Sequence, residues 1–315
     1  MEIDMRCYLE VQLCGGGSIK ISDCISFSIS KRLYYCFAYA TGKFYMPKTP
    51  TFSAFDIKRI RLYVNNVLSF DGLADSVEIK REKSGWIIDF TSRSFTVLLA
   101  QNEPYPKINS DCDLNGLIKK NLNISEIVCE SGTPVVGYIY VKEKSNIWDA
   151  VRAYSLKATG NFPYIRRTNT VCVTMNDSVM RDFSGVKLIE QGTRLMTSSL
   201  LSGVHMADID GGYSYEKSDE LAGEYGIVRE KYDPLDMQWL YSTDEGLDAR
   251  IGYAARQVRT RFVTYAGYRG EELMDKVSGL SYMNAMRINS IRISGSKGGI
   301  YTQIGCYTDR YGQRG

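Results

Sequence analysis

Histidine is almost missing: His205 is the only one in 315 residues. That scarcity removes the commonest general base and the commonest metal ligand at neutral pH. None of the eight cysteines stands in the C-x-x-C spacing of a zinc site, so a mixed Cys/His centre has little to draw on. No stretch approaches the roughly 20 apolar residues that a membrane helix requires. An excess of one charge sign is missing too. The 39 basic and 36 acidic side chains leave +3, too mild to imply nucleic acid or an anionic membrane as partner. The start, Met1-Glu2-Ile3-Asp4-Met5-Arg6, is acidic and strand-like, with no basic stretch leading into an apolar core. No secretory signal is expected from it. Low-complexity linkers and repeats by identity are also absent.

What is present is core-forming material. Hydrophobic residues make up 44% and charged residues 24% of the chain, the balance of a soluble globular protein with ample core in two or three units. Several cysteines sit in apolar alternations, as in Tyr35-Cys36-Phe37 and Val171-Cys172-Val173. There cysteine acts as a small buried hydrophobe, which fits a reducing cytosol.

Alternation of period two dominates residues 1–91. Leu9, Val11 and Leu13 precede Gly15-Gly16-Gly17. Then come Ile19/Ile21, Ile25/Phe27/Ile29, Tyr35/Phe37/Tyr39, Ile60/Leu62/Val64, Val77/Ile79 and Trp86/Ile88/Phe90. Each run reads as a strand with one buried face, broken by glycine or Asn-Asn turns. Six or seven strands in this length suggest a small barrel or sandwich.

From residue 92 the pattern changes to α+β. Residues 111–123 read as a helix behind a Ser110/Asp111 cap. Short strands follow at 124–129 and 135–141. The strongest helix signal covers 145–159, with Ser145 as cap and Gly160 as left-handed stop. A hairpin at 162–167 and 170–175 closes this part. Strands return over 176–315, with candidates at 195–208, 225–232 and 261–265. One helix is expected from 244 to about 258, with Thr243 as cap. A final hairpin pairs 285–293 with 300–308 through Ser296-Lys297-Gly298-Gly299, where Ile300, Thr302, Ile304 and Cys306 share a face.

Candidate chemistry is thin. His205 has Asp208 and Asp210 close in sequence, the carboxylates that would orient a base, yet a strand or loop histidine reads the same way. Asp111-Cys112-Asp113 resembles a carboxylate cluster but lies where a helix begins, and acids favour that end of the dipole. Gly15-Gly16-Gly17 lacks the Lys-Ser/Thr of a phosphate loop, and Gly211-Gly212 and Gly298-Gly299 look like turns. One basic stretch stands out. Arg250, Arg256, Arg259, Arg261 and Arg269 are interleaved with Tyr253, Phe262, Tyr265 and Tyr268, with no acid between 249 and 270. Such a pattern suits a single-strand nucleic-acid groove, a protein interface or an ordinary solvated face. No catalytic residue, cofactor or metal is expected.

Two segments carry a resemblance. The run Ile88-Asp89-Phe90-Thr91-Ser92-Arg93-Ser94-Phe95-Thr96-Val97-Leu98-Leu99 resembles the strand and Ser-Arg-Ser turn of the baseplate hub family of contractile phage tails, the Mu-like hub proteins and their tailocin relatives. Ser145, Trp148, Ala150, Val151, Gly160 and Pro163 match that family's helix and exit, and the hairpin from Met286 to Tyr307 is similar to its terminal hairpin. Residues 176–284 depart from the pattern, and a helix at 244–258 is not a family feature.

The resemblance implies a mainly β protein with an α+β insert. Two tube-like β-domains, 1–91 and 176–315, are joined by a small α+β domain at 92–175. It implies a non-enzymatic homotrimer that adapts a hexameric tail tube, or its initiator, to a trimeric central spike. Tape-measure and baseplate-wedge proteins are further expected partners, and neither a membrane nor a specific nucleic acid is among them. Its place is the baseplate of a virion or tail-like particle assembled in a bacterial cytoplasm. Open sheet edges and 23 tyrosines suit such assembly. The rival readings are a tail-tip or distal-tail adaptor of a flexible-tailed phage, a cell-wall-degrading tail enzyme near His205 or an acidic pair, and a nucleic-acid binder using the 249–270 arginines.

Overall fold

The computed structural model describes residues 7–175, 179–256 and 258–307. The expected strand-like start at 1–6, and Thr308 of the closing strand, lie outside the described residues. Seven strands come first: β1 (Cys7–Leu13), β2 (Ser18–Ile21), β3 (Asp23–Arg32), β4 (Tyr39–Met46), β5 (Ile57–Val64), β6 (Val67–Glu82) and β7 (Gly85–Ser94). Alternation places them as expected; β5, for example, buries Ile57, Ile60, Leu62 and Val64. Asn65 and Asn66 reverse the chain into β6 with φ of 51° and 61°, the left-handed pair that a tight hairpin turn needs. Tyr35 and Phe37 belong to no strand. They pair edge to face, 6.0 Å apart, in a connection pinned where the Leu33 amide donates to the Asn289 carbonyl at 2.8 Å.

The insert runs α1 (Leu98–Gln101), β8 (Lys107–Cys112), α2 (Leu114–Asn121), β9 (Val128–Cys129), β10 (Val136–Val141), α3 (Ile147–Thr159), β11 (Tyr164–Arg166) and β12 (Thr170–Cys172). Helix α2 starts later than expected. Its cap is Asp113, whose carboxylate accepts from the Gly116 amide at 2.7 Å, while residues 107–112 extend as β8. Asn146, not Ser145, caps α3. It accepts from the Asp149 amide at 2.9 Å, and Asp149 accepts in return from the Asn146 amide at 3.2 Å, a reciprocal box. Ser145 instead donates to the Lys142 carbonyl and closes the preceding turn. Gly160 ends α3 at φ 68°, as its position predicts. Leu117, Ile118, Ile139, Trp148, Val151 and Tyr154 form this part's core.

The remaining elements are β13 (Met180–Asp182), β14 (Leu188–Leu195), β15 (Gly203–Met206), β16 (Tyr215–Ser218), α4 (Glu220–Glu224), β17 (Glu230–Asp233), α5 (Thr243–Ala255), β18 (Arg259–Ala266), β19 (Lys276–Ser278), β20 (Arg287–Ser296) and β21 (Gly299–Tyr307). The strand expected over 195–208 is two strands with a turn between them, because the Leu200 amide bonds back to Thr197 and Ser199 donates to the Ala254 carbonyl. Over 225–232 the chain first finishes α4. Gly226, at φ 63°, lets the Ile227 amide reach the Ala222 carbonyl, so β17 begins only at Glu230. Ser242 rather than Thr243 precedes α5.

Among the described residues one sheet of thirteen strands joins the two ends of the chain, in the order β14-β18-β21-β20-β3-β4-β7-β6-β5-β1-β2, with β19 on β20 and β13 on β19. The architecture is mainly β with an α+β insert. The junction is the antiparallel pair β3–β20, where Ile29 faces Ile293 and Phe27 faces Gly295. A Cβ built on Gly295 would lie 2.2 Å from the Phe27 ring, so only glycine fits beneath that ring. Ile29, Ile291 and Ile293 are fully or almost fully buried in a core shared by both ends. Each such side chain contributes about 1.5–3 kcal/mol, so parting the seam exposes several at once. A second small sheet, β16-β15-β17, packs on α5 through Leu201, Val204, Met206, Leu247 and Ile251.

Candidate functional site

His205 lies on the small sheet. Its Nε2 is 2.8 Å from Glu230 and its Nδ1 is 3.7 Å from Glu216, while its ring stacks on Tyr232 at 4.5 Å. These partners follow from strand register, since Glu216 and Tyr232 are its cross-strand neighbours on the two sides. Ser202 donates to Glu230 rather than to the imidazole, and it accepts from the Arg229 amide. The serine and the histidine therefore share one carboxylate. A nucleophile–base–orienter order would place the histidine between them. Hydrogen bonds from Ser202 and His205 hold the Glu230 carboxyl below its usual range.

The two aspartates near His205 are not its partners. Asp208 accepts from the amides of Asp210 and Gly212 and from the Ser214 hydroxyl, closing a turn, and those bonds lower its carboxyl too. Gly211 supplies that turn's left-handed residue at φ 85°. Asp113 is a helix cap, and Asp111 is exposed. Gly15-Gly16-Gly17 links β1 to β2, strand to strand, rather than strand to helix.

Four of the 249–270 arginines have partners within the chain, although Arg259, Arg261 and Arg269 are exposed. Arg250 bridges Asp233 and Asp236, each at 2.8 Å. Arg259 pairs with Glu224 and Tyr225, and Arg269 donates to the Asp182 carbonyl. Arg256 is enclosed by three rings, Tyr34 at 3.3 Å, Tyr253 at 3.7 Å and Phe162 at 3.9 Å. Burial pulls its guanidinium down to about 10. Those rings come from three separate parts of the chain, so Arg256 acts as a joint between them. Arg261 is exposed.

A second joint escaped sequence reasoning. Glu272 receives Lys31 of β3 at 3.0 Å, and buried Asp275 receives Arg166 of β11 and Arg181 of β13. Nothing local marks these acids, because their partners are distant in sequence. Near α3, Lys157 lies 3.3 Å over the Tyr138 ring, and burial pulls its amine down to about 8.

The two ends of the large sheet differ. β2 is a four-residue strand carrying Lys20, which sits over the Tyr8 ring; short, charged edges resist further pairing. β14 is twice as long and pairs only through β18 among the described residues. Ile189 is 57% exposed, Leu195 56%, and the adjoining Met196 40%. This edge is the candidate assembly surface. The tyrosines divide between roles: Tyr154, Tyr164 and Tyr265 are core residues, whereas Tyr105 and Tyr241 lie on the surface.

No protein-family model matches the sequence. A search of curated proteins finds no match either. Solved structures do share the fold. A tail protein from Neisseria meningitidis MC58 superposes with a TM-score of 0.72 at 13% identity, over 96% of this chain and 97% of that one. The 43 kDa tail protein of prophage MuSo2 from Shewanella oneidensis gives 0.71 at 12% identity, over 96% and 98%. An E. coli type VI secretion component, described as structurally similar to bacteriophage T4 tail proteins, gives 0.53 at 9% identity, over 93% and 76%. At such identities the likeness is one of fold: this chain has the β-rich architecture of those tail proteins.

Proposed function

We propose that this chain is a structural subunit of a phage tail or related contractile injection particle, a baseplate hub that works by assembly rather than catalysis. The observation that carries the reading is the fold likeness to phage and prophage tail proteins over nearly the whole chain. The open β14 edge, with Ile189 and Leu195 exposed, supports it, since a second copy can complete such an edge. In this reading three copies close a ring. The division into 1–91, 92–175 and 176–315 gives two β-rich parts per copy, and three copies then present pseudo-sixfold symmetry to a hexameric tube. The threefold axis receives the trimeric spike. Tape-measure and wedge proteins border the ring, inside a particle assembled in the bacterial cytoplasm.

The contacts of His205 argue against a serine–histidine hydrolase there, because Ser202 and His205 converge on Glu230 instead of on each other. The carboxylate partners of Arg250 and Arg259 offset part of the positive charge that a nucleic-acid groove would need. Light scattering on the purified full chain tests the proposal. A particle of three 35.6 kDa chains is expected. A chain that stays single at high concentration, and is absent from tail-like particles by imaging, overturns it.

A further inference from the structure

The curl of the large sheet leaves a seam. β1 and β3 are separated in the sheet order by β4, β7, β6 and β5, yet the curl brings β1 back against β3 with no ladder between them. Cys7 opens β1, and Cys24 is the second residue of β3. Their thiols lie on this seam and each shifts the other's titration, as close neighbours do. Both are half-buried and line a cavity of about 1070 Å³ with Tyr8, Lys20, Ser22 and Asp23, so small reagents can reach them. The pair differs from the chain's four buried cysteines. Cys36, Cys112, Cys172 and Cys306 are buried in apolar surroundings, which push their thiols up. Their interaction draws the Cys24 thiol below its ordinary value although burial opposes it, and pushes the Cys7 thiol up. The lower thiol is the better-populated nucleophile.

We propose that Cys7 and Cys24 are a modification site, a dithiol that a small-molecule disulfide oxidises to a covalent staple across the β1–β3 seam. With oxidised glutathione as oxidant, the Cys24 thiolate attacks one glutathione sulfur. The glutathione S–S bond breaks, one glutathione thiolate leaves, and a Cys24–glutathione mixed disulfide remains. Cys7 then loses its proton to solvent and its sulfur attacks Cys24, expelling the second glutathione thiolate. Two protein thiols lose two protons and two electrons, and one glutathione disulfide becomes two thiols. The staple stays open in a reducing cytosol and closes once the protein meets an oxidising medium. Closure links two strands that share no backbone ladder, and cross-linking restricts the unfolded chain.

The test uses the full chain carrying Cys14→Ser, which removes the exposed thiol nearest in sequence. Samples are equilibrated in glutathione buffers from fully reduced to fully oxidised, alkylated, cut with trypsin and weighed. The expected result is a Cys7–Cys24 cross-linked peptide pair, two hydrogens lighter, that rises with the oxidised fraction. A rise in the thermal midpoint on the order of 5 °C accompanies it. Cys7→Ser should stop at the Cys24–glutathione adduct and lose the thermal rise, with an unchanged circular dichroism spectrum showing that it folds. Free alkylation of both thiols in the fully oxidised buffer overturns the proposal. So does a stable glutathione adduct on Cys24 while Cys7 is present.

Discussion

The carboxylate of Asp275, wholly buried, receives the Arg166 guanidinium at 2.6 Å across 109 positions of sequence. Arg181 reaches its other oxygen at 2.7 Å. One loop acid thus ties the insert to the C-terminal strands. Removing one member of a buried pair leaves the rest uncompensated, at a cost of about 3–5 kcal/mol. Asp275→Ala should lower stability by that order in urea unfolding. Lys43→Ala, which breaks the half-exposed Lys43–Asp89 pair, should cost only ~0–1 kcal/mol. Equal effects from the two variants would contradict the assignment.

Arg256 is held by ring faces, and its shape matters as much as its charge. Arg256→Ala leaves a hole among Tyr34, Phe162 and Tyr253 and should cost about 2–4 kcal/mol. Arg256→Met refills the space without a desolvated charge and should recover most of that loss. Chemical denaturation of both variants measures the difference. A methionine variant no better than alanine would show that cation–π attraction dominates.

The amine of Lys157 gives a pH dependence with a definite sign. Burial lowers it from 10.5 to about 8, so the unfolded chain binds the proton more tightly than the folded one. Folding then releases a proton between those values, and stability rises as pH climbs from about 8 toward 10.5. Lys157→Met should remove this contribution. The difference between the two thermal midpoints, read at pH 7.5, 9 and 10, should change with pH in that window and be flat below it.

At the β3–β20 seam, Gly295→Ala drives a methyl group into Phe27 and should destabilise by ~1–3 kcal/mol. Combining it with Phe27→Leu should restore part of the loss. A full loss in the double variant would place the strain in the backbone instead.

In the proposed assembly the exposed β14 edge acts in association alone. Lysine at both Ile189 and Leu195 should weaken self-association by about tenfold or more, roughly 1.4 kcal/mol, with the thermal midpoint of the dilute chain unchanged. Sedimentation across a concentration series reads the first effect and calorimetry the second.

Local rules carried far in the first seven strands and in α3. Buried and exposed positions alternate in β5 because a strand shows one face to the core, and Gly160 stops α3 because it takes φ 68° without penalty. They failed where neighbours compete. Ser145 and Asn146 both suit a cap, and hydrogen bonds to Lys142 and Asp149 decide between them. The candidate site was half legible. The basic run was visible in the sequence, but its partners Asp233, Asp236 and Glu224 were not, because ion pairing leaves no periodic trace.

Composition and periodicity alone determined a β-rich chain with an α+β insert, since burial patterns are written residue by residue. Only the tertiary structure decided that β3 meets β20, that Asp275 holds Arg166, and that Cys7 and Cys24 share the β1–β3 seam. Each of these contacts spans a stretch of chain that closes through packing and sheet curvature, which no local pattern encodes.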